Sequence, residues 1–94
     1  MIASEKYVLR LYVTGMTTRS TRAITTVRAV CEEHLAGQYE LEIIDVYQMP
    51  NRIMEDRIVA IPTLVKYRPM PIRLMVGDMS NRERLLAGLG LPHD

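Results

Sequence analysis

Cys31 is the only thiol in the chain, and His34 and His93 are its only imidazoles. Redox, nucleophilic or metal chemistry would have to be built from these few groups. A reactive thiolate needs a helix N-terminus, a nearby cation or a second cysteine to hold its charge. Cys31 instead shares an apolar helical stripe with Val27 and Leu35, which predicts a small buried hydrophobe. The two histidines lie far apart and show no metal-ligand spacing, so no metal site is expected. His34, toward the end of a helix, fits a solvated side chain or a weak partner of the helix dipole. Isolated imidazoles also leave a hydrolase nucleophile without a base. Asp45, near the end of an apolar run, reads as a satisfied structural carboxylate more readily than a catalytic one. Gly88-Leu89-Gly90 closes a helix instead of following a strand, and no phosphate loop is present, so no cofactor is expected.

The elements that would position these residues follow from hydrophobic spacing. From Lys6 to Val13 the residues Tyr7, Val8, Leu9, Leu11, Tyr12 and Val13 are apolar on both faces, which suits a central strand covered on both sides. Thr14-Gly15-Met16-Thr17-Thr18 breaks that run, and Thr17 or Thr18 can cap a helix. Ala23, Ile24, Val27, Val30, Cys31 and Leu35 continue at helical spacing, and Gly37 suits the left-handed residue that ends a helix. Leu41, Ile43, Ile44 and Val46 predict a second strand, also apolar on both faces. The two strands and their helix make a parallel, right-handed βαβ unit. Pro50–Ile58 is weakly helical, with Pro50 in the first turn. Thr63–Tyr67 and Ile72–Val76 read as short strands around the Pro69-Met70-Pro71 turn. Ser80-Asn81-Arg82-Glu83 has the spacing of a capping box, and Leu85, Leu86 and Leu89 extend a last helix whose end Gly88 and Gly90 loosen.

The order β-α-β-α-β-β-α predicts an α/β thioredoxin-like domain, one unit across residues 1–94. Redox members of that fold carry Cys-x-x-Cys at the start of the first helix, where this chain has Thr17-Thr18-Arg19-Ser20. Thiol exchange through Cys31 alone is the weaker reading. A cis proline precedes the third strand in the same fold, and Ile61-Pro62-Thr63 stands in that place.

Composition narrows the function classes further. A formal net charge of +1 over 94 residues argues against bulk attraction to nucleic acid or an anionic membrane. The chain has no apolar run long enough to cross a bilayer, and Met1–Lys6 lacks the order of a signal peptide. A single cysteine fits a reducing compartment, so a cytoplasmic, non-enzymatic binding protein is expected. Seven methionines and five tyrosines replace Phe and Trp, which suits a core able to repack.

Longer segments carry a family likeness. Lys6–Gly15, Ile43-Ile44-Asp45-Val46, Glu55-Asp56-Arg57-Ile58, Ile61-Pro62-Thr63-Leu64, Pro69–Arg73 and Val76–Glu83 together resemble the KaiB family along essentially the whole chain. The resemblance implies a metamorphic protein with a tetrameric ground-state fold and a monomeric thioredoxin-like form. Between them the C-terminal half rearranges, with Pro62, Pro69 and Pro71 changing isomer and Gly88 and Gly90 weakening the last helix. It also implies docking on the N-terminal ATPase ring of KaiC, competition with the kinase SasA, promotion of the dephosphorylation phase and, in cyanobacteria, capture of KaiA. Tyr7, Arg22, Arg57 and Arg73 match positions that the family links to partner contact or fold choice.

Departures from the family pattern point elsewhere for one partner. Met16-Thr17-Thr18 replaces Asn-Thr-Pro, and Leu89-Gly90-Leu91 replaces Leu-Asp-Leu before a tail shortened to Pro92-His93-Asp94. Glu40 and Glu42 stand where clock members carry a small residue and a lysine, on the strand edge that takes KaiA. That reversed charge argues against KaiA binding. The alternative is a KaiB-like paralogue in a KaiA-independent stress or signalling pathway. The thioredoxin-like monomer is expected to be a substantial form.

Overall fold

The computed structural model describes residues 6–58, 60–77 and 79–92. Segment 1–5, Asp78 and His93 of the sequence reading lie outside the described residues. The chain forms β1 (Tyr7–Val13), α1 (Thr18–Leu35), β2 (Tyr39–Asp45), α2 (Asn51–Asp56), β3 (Thr63–Arg68), β4 (Arg73–Val76) and α3 (Arg82–Leu89). The strands make one sheet in the order β2-β1-β3-β4. β1 runs parallel to β2 and antiparallel to β3, and β3 runs antiparallel to β4. This is the thioredoxin-like arrangement that the element order implied.

Alternation along β1 divides the core between two layers. Leu9, Leu11 and Val13 pack with Ala23, Val27, Val30 and Cys31 of α1 and with Leu85, Leu86 and Leu89 of α3. On the other face Tyr12 joins Ile44, Val46, Ile58 and Val65. Tyr12 also donates its hydroxyl to the Arg52 carbonyl at 3.0 Å, which ties the short α2 to the sheet.

Thr17 is the N-cap of α1, its hydroxyl accepting from the Ser20 N–H at 3.2 Å. Ser20 is fully buried and accepts from the Thr14 N–H at 3.0 Å. The position that holds a cysteine in redox relatives of this fold therefore serves the loop before the helix. Gly37 follows α1 at φ +76, the left-handed conformation expected of it.

Four expectations need correction. β2 is an edge strand, not one covered on both faces: only Ile44 is buried, and Glu40 and Glu42 are exposed, because just β1 flanks it. α2 is shorter than Pro50–Ile58; Pro50 is its N-cap, and Arg57 leaves the helix at φ 55. α3 starts at Arg82, so Asn81 caps it instead of Ser80, accepting from the Arg84 N–H at 3.0 Å. Gly90 does not weaken α3 from within. It sits beyond the last helical residue at φ 74, where glycine is favoured, and its N–H and that of Leu91 bond to the carbonyls of Ala87 and Leu86.

Candidate functional site

The sequence pointed to binding, and the structure distributes the named residues over three surfaces. The first is the β2 edge and the α2 side of the sheet. Parallel pairing sets Arg10 beside Glu42, and α2 brings Arg52 and Glu55 to them. Arg52 donates through Nη2 and Nη1 to the two Glu42 carboxylate oxygens at 2.9 and 3.1 Å, and through Nε to Glu55 at 3.1 Å. Arg10 lies 3.4 Å from Glu42 and 3.6 Å from Glu55, with its guanidinium 4.8 Å above the centre of the Tyr67 ring. The hydrogen bond from Arg52 holds the Glu42 carboxyl below its usual range. Glu40 meets Lys6 at 3.9 Å. Glu42 is therefore neutralised within the fold, a relationship hidden until strand register and the placement of α2 are known.

The second surface is the end of the sheet where β1 leads into α1. Ile61-Pro62 is cis at this end, just before β3, while Arg68-Pro69 and Met70-Pro71 are cis in the β3–β4 turn at the opposite end of the sheet. Pro62 is buried and Thr63 donates to the Ala60 carbonyl at 2.6 Å, while Pro71 is exposed. Lys66, which sequence reading passed over, is buried and donates its ammonium to the Pro69 carbonyl at 2.8 Å. Its stem in the middle of a strand looked like that of any solvated lysine. Met16 after β1 and Tyr47 after β2 are exposed, as are Met49 before α2 and Met54 on it.

The third surface joins β4 to α3. Gly88 lies so near Met75 that helix and strand meet through a glycine. Tyr7 is half-buried and donates its hydroxyl to the Leu89 carbonyl at 2.9 Å, so it ties β1 to α3. Arg22 on α1, Arg57 after α2 and Arg73 on β4 are exposed on three different elements. Cys31 is fully buried, and burial pushes its thiol up to about 11 with a further contribution from Glu32. At neutral pH that sulfur is a protonated core group and a poor nucleophile. Asp45 accepts from the Tyr47 N–H at 2.9 Å, the satisfied structural carboxylate that was expected. Among the described residues no group of three or more His, Cys, Asp or Glu side chains could hold a metal, and no helix is long and apolar enough to cross a membrane.

Residues 10–91 match the family model described as the KaiB domain. The chain belongs to the KaiB family. It is 45% identical over 94 residues to the circadian clock oscillator protein KaiB of Prochlorococcus marinus, covering 100% of this chain and 88% of that one. Its fold is similar to the N-terminal domain of Synechococcus elongatus SasA, with a TM-score of 0.73 at 20% identity over 100% of this chain and 92% of that one. The germline-specific thioredoxin Deadhead of Drosophila melanogaster is similar too, with a TM-score of 0.74 at 14% identity over 93% and 81% of the two chains. These likenesses carry the thioredoxin-like fold of a KaiB family member, here without the cysteine pair.

Proposed function

We propose that this chain is a non-catalytic clock regulator that docks, in its thioredoxin-like form, on the N-terminal ATPase ring of a KaiC-type protein. There it competes with a SasA-type sensory domain and favours the dephosphorylation phase. One observation carries this reading: a chain with KaiB sequence has the fold of the SasA N-terminal domain over its full length. Two proteins of one shape can exclude each other from one docking surface. The exposed Arg22, Arg57 and Arg73 are the side chains assigned to contact, and Tyr7 shapes the scaffold beside α3. The working form is a cytoplasmic monomer, with a homotetramer as the ground-state assembly. Pro62, Pro69, Pro71, Gly88 and Gly90 belong to the half that rearranges between the two.

The test is anisotropy of the labelled chain with a KaiC-type ATPase and ATP, followed by titration of a SasA N-terminal domain. Displacement of the label is expected. No ATP-dependent binding, or a ternary complex without displacement, would overturn the proposal.

The arrangement of Glu42 favours a KaiA-independent pathway as the setting. The β2 edge carries Glu40 and Glu42, both already paired with cations of the same chain. A partner evolved for a lysine at this edge meets no free cation there. Formation of a stable complex with KaiA by the unaltered chain would contradict this setting while leaving KaiC docking intact.

A further inference from the structure

The two edges of the sheet are protected unequally. β2 carries charged, ion-paired side chains along its border, which blunts pairing with another strand. β4, at the opposite edge, has exposed Leu74 and Val76 at 46% and 56%, with Ile72 just before it at 52%.

The backbone of β4 is also available. The Gly77 N–H bonds to the Pro62 carbonyl across the β3–β4 pair. Hydrogen bonding alternates along an antiparallel pair, so the register Leu64↔Met75 and Lys66↔Arg73 turns those residues toward β3. Leu74 and Val76 consequently direct their N–H and C=O groups away from the sheet. A groove of about 490 Å³ runs along this edge, with Met75, Met79 and Leu85 in its lining and Arg19 and Arg84 among its polar residues.

The two sides of the edge differ chemically. Leu74 and Val76 share the sheet face of Val65, the α2 side. Arg73 lies on the opposite face, where α1 and α3 pack and from which Arg19 and Arg84 reach the groove. No ion pair joins Arg19, Arg73 or Arg84 to another described residue. An added strand would meet apolar side chains on one face and guanidinium groups on the other.

We propose that the β4 edge is a docking site for an extended segment of a partner protein with alternating apolar and acidic residues, which adds to the sheet as a fifth strand. Main-chain hydrogen bonds to Leu74 and Val76 hold the segment, apolar side chains cover Leu74 and Val76, and carboxylates face Arg73, Arg84 and Arg19. The site shares Arg73 with the proposed contact to a KaiC-type ring, but Leu74, Val76, Arg19 and Arg84 belong to it alone, so peptide binding and ring docking are read separately and either can fail alone.

A fluorescein-labelled heptapeptide of alternating valine and glutamate is the probe. NMR of the full chain is expected to show peptide-dependent shifts at Leu74–Gly77 and Arg84, with affinity falling as salt rises. Leu74→Pro removes an outward N–H, a substitution an edge strand accommodates, and is expected to weaken binding at least about tenfold. Arg84→Glu is expected to weaken it about fivefold or more at low salt without altering the sheet. Peptide shifts confined to β2, affinity unchanged in both variants, or self-pairing of β4 between copies that excludes the peptide would each overturn the proposal.

Discussion

Gly88 faces Met75 so closely that a β-carbon on Gly88 would overlap the Met75 sulfur and Cγ, and the Met75 side chain would have to shift to make room. Alanine there would gain roughly 1 kcal/mol of helix propensity. The overpacking it causes is expected to cost about 1–3 kcal/mol, so Gly88→Ala should be destabilising overall. A double-mutant cycle with Met75→Ala, read by urea unfolding, should show a favourable coupling of about 1 kcal/mol or more. Additive effects would mean that α3 shifts freely on β4.

Gly90 fails differently under substitution. Its φ of 74 is costly for a side-chain-bearing residue, and Gly90→Ala is expected to destabilise the thioredoxin-like form by about 1 kcal/mol. Faster amide exchange in the last turn of α3 would accompany the loss, because the bonds from the Gly90 and Leu91 N–H groups would loosen. A more stable variant would restore the view that this glycine weakens the helix.

The thiol of Cys31 gives a pH signature. Its pKa rises from 9.0 to about 11 on folding, through burial first and Glu32 second. Folding therefore favours the protonated form: this contribution is intact below pH 9 and is lost as pH climbs toward 11. Burial raises Tyr7 in the same sense. Stability should fall over this interval, and Cys31→Ala should flatten part of the decline. A thiol reagent at pH 8 should label the chain only with denaturant present.

Arg52 and Glu42 form a charge pair that reversal on one side would turn into repulsion. Glu42→Lys puts a third cation beside Arg10 and Arg52, and its unfolding midpoint should fall at low salt and recover as salt screens it. Exchange of both charges, Glu42→Lys with Arg52→Glu, should recover much of the loss without added salt. Equal midpoints for the single and double variants would show that the pairing contributes nothing.

Tyr7→Phe removes the 2.9 Å donation to the Leu89 carbonyl while keeping the ring. A loss of about 1 kcal/mol is expected, with hydrogen exchange accelerating in α3 more than in β2. Uniform acceleration across the chain would point to a packing defect instead.

Most of the element order was legible because short-range patterns decide it. Thr17 caps α1, Gly37 follows it in the left-handed region, and the βαβ unit is parallel, as hydrophobic spacing and local chemistry required. Errors arose where local chemistry offered two answers. Ser80 and Asn81 are both able caps, and the helix starts one residue later than Ser80 requires. Leu41, Ile43 and Ile44 look like a strand buried on both faces until the sheet order leaves β2 at an edge.

By itself, then, the sequence determined that this is a thioredoxin-like KaiB family chain whose one thiol lies on an apolar helical face. Periodicity, caps and composition act within a few residues, so a chain read in order already contains them. Only the tertiary structure decided that Arg52 neutralises Glu42, that Tyr7 ties β1 to α3, and that Gly88 admits Met75. It also decided that β2 and β4 are the edges, one guarded by charge and the other open. Each of these depends on which distant segments become neighbours, a matter of sheet order and register that no local pattern encodes.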